Sequence, residues 1–240
     1  MRSAFVLAVL LLLASSVGWA KDLMVRQRAM SGFGGVSPSE ETVYLSGNQI
    51  VTDSDTTRTI VDLDKKTITA IDKRKRTYSM LTFDELTAQM DALRNSIDKM
   101  PEEMRRQVSP LSEEGEPVVV TPTGKTETIA GHKANEHKLS GGPYSGAVWT
   151  TQDLDTPPQF KKWKAIEQSR GGAARRLGEA MEKVTGFPLR TKLQVKTAAE
   201  PIELSNEVLE VREASPPADV MKVPDGFTKQ APPTSGKPPQ

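Results

Sequence analysis

Two histidines and a scatter of paired carboxylates are where a reactive centre would have to start in this 240-residue chain, which has no cysteine. His132 and His137 stand five apart in a stretch that reads as a strand. Side chains alternate along a strand, so the two rings point to opposite faces and cannot share a metal unless the strand bulges. A zinc site needs three or four converging ligands, which two diverging imidazoles do not supply. Nucleophilic catalysis by cysteine is excluded, and Gly142-Pro-Tyr-Ser145-Gly146 has the wrong spacing for the serine elbow Gly-x-Ser-x-Gly. Glu40 with Glu41, and Glu102 with Glu103, are neighbours in sequence and do not face one another across a cleft, as glycoside hydrolysis requires. After Gly32-x-Gly34 the position three on is Ser37, and no βαβ unit surrounds it, so there is no dinucleotide fingerprint. No catalytic residue, metal or cofactor is assigned, and an enzyme is not expected.

The remaining candidates are apolar. Leu86, Met90, Leu93, Ile97 and Met100 recur at intervals of four, three, four and three, which is one narrow stripe of an amphipathic helix. Trp149, Phe160 and Trp163 add aromatic surface further along. Such stripes ordinarily close a core, but methionine is flexible and polarizable and also suits a surface that receives lipid or peptide. These eight residues are the candidate ligand-binding set.

The elements that must position them are organised around a β-meander from Glu41 to Leu81. The runs 41–50, 57–61, 67–71 and 77–81 are rich in Thr, Val, Ile and Tyr and are separated by polar turns, so four or five antiparallel strands are expected. Two turns share a grammar: Asp64-Lys65-Lys66-Thr67 and Asp72-Lys73-Arg74-Lys75-Arg76-Thr77 each place an acid and a basic run before a Thr. Val43 and Leu45 share a parity, so one face of the sheet is apolar and needs a cover. An earlier strand is expected at Asp22 to Met30, before a glycine-rich loop.

Thr82-Phe-Asp-Glu85 is a capping box that starts the striped helix, and Pro101 ends it or opens a short second piece to about Val108. The sheet then resumes. A hairpin is expected from Val118–Thr121 and Lys125–Ala130 around Pro122-Thr-Gly124, then strands at 133–140 and 144–151. Thr156-Pro-Pro-Gln159 opens a second main helix carrying Phe160 and Trp163. Gly171 and Gly172 interrupt it, and Leu177, Met181 and Val184 continue its stripe to a cap at Gly186. Two closing strands, 188–196 and 203–213, precede an extended segment that packs Val220, Val223 and Phe227 onto the body.

At the amino terminus, Met1-Arg2-Ser3 precedes the apolar run Ala4 to Ala14, and Gly18-Trp19-Ala20 offers the small residues of a cleavage site. That is the pattern of a secretory signal peptide over residues 1–20, cut between Ala20 and Lys21, and the run is too short for a spanning helix. The mature chain is therefore expected to be periplasmic or secreted and not to span a membrane. The 32 basic and 31 acidic residues leave no electrostatic footprint for nucleic acid. The organisation expected is a signal peptide at 1–20, a single domain at 21–227, and a Pro-rich disordered tail at 228–240.

The order of these motifs, with Ile60-Val-Asp-Leu-Asp-Lys-Lys-Thr67, Lys75-Arg-Thr-Tyr78, Ile129-Ala-Gly-His-Lys133, Val148-Trp-Thr-Thr-Gln-Asp-Leu154, Gly186-Phe-Pro-Leu-Arg190 and Val223-Pro-Asp-Gly-Phe227, resembles the secreted bacterial family of unknown function DUF4412. That family is similar in outline to the lipoprotein carrier and receptor proteins of the bacterial envelope. The resemblance implies an α+β fold: a curved antiparallel sheet, an open half-barrel, with two main helices packed on its concave face and an apolar groove able to take an acyl chain. The function expected is a non-enzymatic carrier or binding module for a lipid or other apolar ligand. The alternative is an envelope module with a filled core that engages a protein partner or senses stress. An enclosed cavity between sheet and helix would favour the first reading, and a filled interior the second.

Overall fold

The structure, a computed structural model, describes residues 22–33, 38–107, 116–159, 162, 172–196 and 200–232. The expected signal peptide and the last eight residues lie outside these. Six strands open the chain: β1 (Leu23–Phe33), β2 (Ser39–Ser46), β3 (Gln49–Ser54), β4 (Thr57–Asp62), β5 (Thr67–Asp72) and β6 (Thr77–Thr82). Helices α1 (Phe83–Asp98) and α2 (Glu102–Gln107) follow. Then come β7 (Val119–Ile129), β8 (His132–Gly141), β9 (Tyr144–Thr151), α3 (Gly172–Glu182), β10 (Phe187–Val195), β11 (Ile202–Glu213) and β12 (Thr228–Lys229).

All twelve strands belong to one open sheet, in the order β12-β6-β5-β4-β3-β2-β1-β11-β10-β9-β8-β7. Pairing is antiparallel except at the β12–β6 edge. Two meanders are joined at the centre, where β1 pairs with β2 on one side and with β11 on the other. The open antiparallel α+β architecture is thus the one expected.

The shared turn grammar has a physical basis. Asp62 Oδ1 accepts the Lys65 amide at 2.9 Å, and Asp72 Oδ1 accepts the Lys75 amide at the same distance. Each loop then closes through a left-handed residue, Lys66 (φ 53°) and Arg76 (φ 55°). An aspartate that satisfies an amide three residues on makes the reversal and leaves the next Thr to start the returning strand.

Both faces of the first meander are covered. Val25, Val43, Leu45, Ile50 and Val61 lie in register on one face and join Ile129, Phe187, Leu189 and Val208 in the main core. The opposite parity carries Tyr44, Val51, Ile60, Ile71 and Tyr78 under Met221, Val223 and Phe227. The extended segment of residues 214–227 therefore acts as a strap, and Val220 is buried with it. Arg58, 7% exposed, fastens the strap by donating to the Asp219 carbonyl at 2.8 Å while its Nε meets Asp53 at 2.7 Å.

Two expectations are corrected and one is met in part. First, of the two-helix cover the described residues show only a part. α3 packs Leu177, Ala180 and Met181 against Val118, Leu139, Val148 and Leu193, whereas α1 meets the sheet at β6 and sends Phe83 to the main core. The helix expected to carry Phe160 and Trp163 is described only at its start, where Gln159 Nε2 donates to the Gly47 carbonyl, and at Lys162, whose ammonium donates to Asn48 Oδ1 at 2.8 Å.

Second, Pro122-Thr-Gly124 is not a reversal. β7 runs through it with an irregularity between Pro122 and Thr126, and the Thr123 hydroxyl bonds the Glu136 carboxylate on β8 at 2.8 Å. β7 is the sheet's outer strand, where proline and a bulge are tolerated. Third, the tail does not lose order at residue 228: Thr228 and Gln230 donate their amides to the Arg76 and Tyr78 carbonyls at 3.0 and 2.7 Å. The free edge of β6 offered acceptors that composition does not reveal.

Candidate functional site

The expected apolar set is dispersed. On α1, Leu86, Met90 and Leu93 are half-buried and Ile97 is buried, and Met100, just beyond the helix, is half-buried. Trp149 stands on β9, at the far wing of the sheet in strand order, half-buried at the margin of the main core. Its ring lies 5.3 Å from the Arg190 guanidinium carbon. Phe160 and Trp163 lie outside the described residues. None of the six described residues of the set lines any of the three clefts described, at β4–β6, at the β2–β3 turn, or across β1 and β9–β11. The buried clusters are closed, with Val51, Leu139, Val148 and Leu189 all at 0% exposure.

The histidines do not form a centre either. His137 Nε2 is 3.4 Å from the Thr150 hydroxyl, and His132 Nδ1 is 3.7 Å from Asp153 Oδ2. Among the described residues no three His, Cys, Asp or Glu side chains converge as a metal site would need.

The largest of the three clefts described, about 600 Å³, is built by register. Ala147, Lys192, Ser205 and Met30 are successive partners across β9, β10, β11 and β1, and Ser145, Gln194 and Glu203 make the adjoining row. Val148, Leu139 and Leu193 face α3, so strand alternation sends Ala147 and Lys192 to the opposite face. Ala147, Ser145 and Ser205 are short, and the depression exists because longer side chains surround them. Gly146 brings β9 close to β10. Its φ is 154°, and a β-carbon there would collide with the Lys192 carbonyl, so any larger residue would push the strands apart.

One row away the same face is ionic. Glu136, Trp149, Arg190, Glu207, Arg28 and Glu40 follow one another in register across β8, β9, β10, β11, β1 and β2. Arg190 holds Glu207 and Glu127 at 2.7 Å each, and Arg28 holds Glu40 at 3.0 Å. Partial burial pulls the Arg190 guanidinium down in pKa, but its two carboxylates outweigh this and hold it above the ordinary value. Trp149 is therefore the platform of a paired arginine.

Sequence reasoning missed the cleft because its walls come from residues near 30, 146, 193 and 204, which only strand pairing brings together. The alternation in each strand was legible, but the register between them was not.

The described residues thus form one open antiparallel sheet with three buried hydrophobic clusters and no convergent set of metal-ligating side chains. The sequence matches DUF4412, a domain of unknown function, over residues 39–227, and the chain belongs to that family. Among curated proteins none matches it. Solved structures similar in outline include PNGF-II (TM-score 0.39, 9% identity), where 89% of this chain aligns with 31% of that one. MucB (0.36, 10%) aligns over 88% of this chain and 60% of its own. A domain from Vibrio parahaemolyticus described as an outer membrane lipoprotein-sorting protein (0.34, 8%) aligns over 85% and 90%. The chain thus spans less than two thirds of the first two.

Proposed function

We propose that this protein is a non-enzymatic binding module, working outside the cytoplasm, that holds a single apolar chain such as an acyl group in the cleft across β1, β9, β10 and β11. The observation that carries this is the cleft itself. It has about 600 Å³, within the range of small-molecule sites, and is floored by Ala147, Ser145, Ser205, Met30 and the aliphatic stem of Lys192. The signal-like amino terminus supports the location, and no described helix is long and apolar enough to cross a membrane.

The test is binding of a fluorescent acyl probe to the mature protein. Ala147→Trp fills the cleft and should abolish binding. Leu93→Asp on α1 should leave it intact, and the reverse result would move the site to the α1 stripe. Failure of the parent protein to bind the probe would overturn the proposal. Amino-terminal sequencing of exported protein should begin at Lys21.

The fully buried side chains of the three clusters support one second reading, a protein-interaction module. Crosslinking in the envelope that captures one reproducible partner, from a protein that carries no lipid in native mass spectrometry, would support it instead.

A further inference from the structure

The cations on the cleft's face are unevenly paired. Arg26 meets Glu40 and Glu210, Arg28 meets Glu40, Arg190 meets Glu127 and Glu207, Lys125 reaches Glu136 and Arg212 reaches Glu210. Lys192 and Lys138 differ. They sit in register on either side of Ala147, Lys192 from β10 and Lys138 from β8, both exposed, and neither meets a carboxylate among the described residues. Glu203, the acid on the cleft wall, lies within 3.4 Å of the Gln194 amide and forms no ion pair there. Two ammonium groups with no carboxylate partner among the described residues thus flank the shallow, short-chained floor of a cleft whose one lining acid, Glu203, also forms no ion pair.

Resting on the acyl-chain reading, we infer that the ligand is an anionic amphiphile: its chain lies on the Ala147–Ser205–Met30 floor and its carboxylate or phosphate head is held between Lys138 and Lys192. An ammonium pair recognises either head as a charge-assisted acceptor. Because both lysines are exposed, the head adds affinity and orientation, while burial of the chain supplies most of the free energy.

The test compares a long-chain fatty acid, the alcohol of equal length, a lysophosphatidate and inorganic phosphate, each displacing the acyl probe from the mature protein. The acid and the lysophosphatidate should bind about five- to tenfold more tightly than the alcohol at low salt, as charge-assisted contacts of this exposure allow. Added salt should narrow the gap, and free phosphate should not displace the probe. The double substitution Lys138→Gln with Lys192→Gln should bring the acid down to the alcohol's affinity and leave the alcohol unchanged. Equal affinity of acid and alcohol in the parent protein would overturn the head-group assignment and leave the acyl-chain reading standing. Binding of neither would overturn both. Displacement by phosphate alone would show an anion site with no place for the chain. A lysophosphatidate that binds well beside an acid that does not would restrict the head to phosphate.

Discussion

Asp62 shows how much one side chain does in this fold. Its carboxylate closes the β4–β5 turn through the Lys65 amide, pairs with the Lys65 ammonium at 2.9 Å and accepts from Gln49 at 2.9 Å. Burial pushes its pKa up, but those donors outweigh burial and hold it at about 2, against 3.8 for the free side chain. A carboxyl depressed on folding stabilises fully above its unfolded pKa, and that stabilisation is lost as pH falls from about 4 towards about 2. Asp62→Asn should therefore cost about 1–2 kcal/mol at pH 7, discounted because the Lys65 partner is exposed, and almost nothing at pH 2. Urea denaturation of both proteins at the two pH values measures it, and a penalty unchanged at pH 2 would mean that the lost turn geometry dominates. The place of the turn was legible from its basic run and Thr, which recur after Asp72, but the acid read there was Asp64, whereas Asp62 closes it. The distant partner Gln49 was not legible, because it depends on how β3 and β4 are registered.

At the scale of elements, local chemistry was read well and long-range pairing poorly. The Thr82–Glu85 capping box forms as its spacing dictates: the Glu85 amide donates to the Thr82 hydroxyl at 3.1 Å, and the Thr82 amide donates to the Glu85 carboxylate at 2.7 Å. Thr82→Ala should cost about 1 kcal/mol and increase amide exchange in the first turn of α1, while β4 and β5 keep their protection. Uniform loss of protection across the sheet would instead show that Thr82 supports β6. Pro122-Thr-Gly124 misled because turns and edge bulges draw on the same residue types, and only the Thr123–Glu136 contact tells them apart. The α1 stripe shows a related limit. Amphipathic spacing states that one face of a helix is covered, but not that a strand covers it. Among the described residues the main cluster joins strands of both meanders with Phe83 of α1, while α3 packs on the second meander.

For the whole molecule, the strap decides whether the open sheet can exist as a soluble body. A two-faced meander leaves Val51, Ile60 and Ile71 exposed unless something lies over them, and residues 214–227 supply Val220, Met221, Val223 and Phe227 for that purpose. The strap is also bonded where it crosses charge. Arg58 reaches the Asp219 carbonyl, and burial raises the Asp53 pKa less than Arg58 and Lys73 lower it, so the carboxylate beneath the strap stays ionised. Burial of four apolar side chains is worth about 4 kcal/mol or more even when several are only half-covered, a large fraction of the stability of any single domain. A chain ending at Ala214 should therefore be recovered mostly aggregated, or melt far below the parent. One ending at Pro233 should melt with the parent, because it keeps the strap and the Thr228–Gln230 bonds to β6. Thermal melts of the two truncations separate the contributions. Equal stability of the shorter chain would show that the Val51, Ile60 and Ile71 cluster holds without its cover, and the strap would then be a removable lid over an apolar surface.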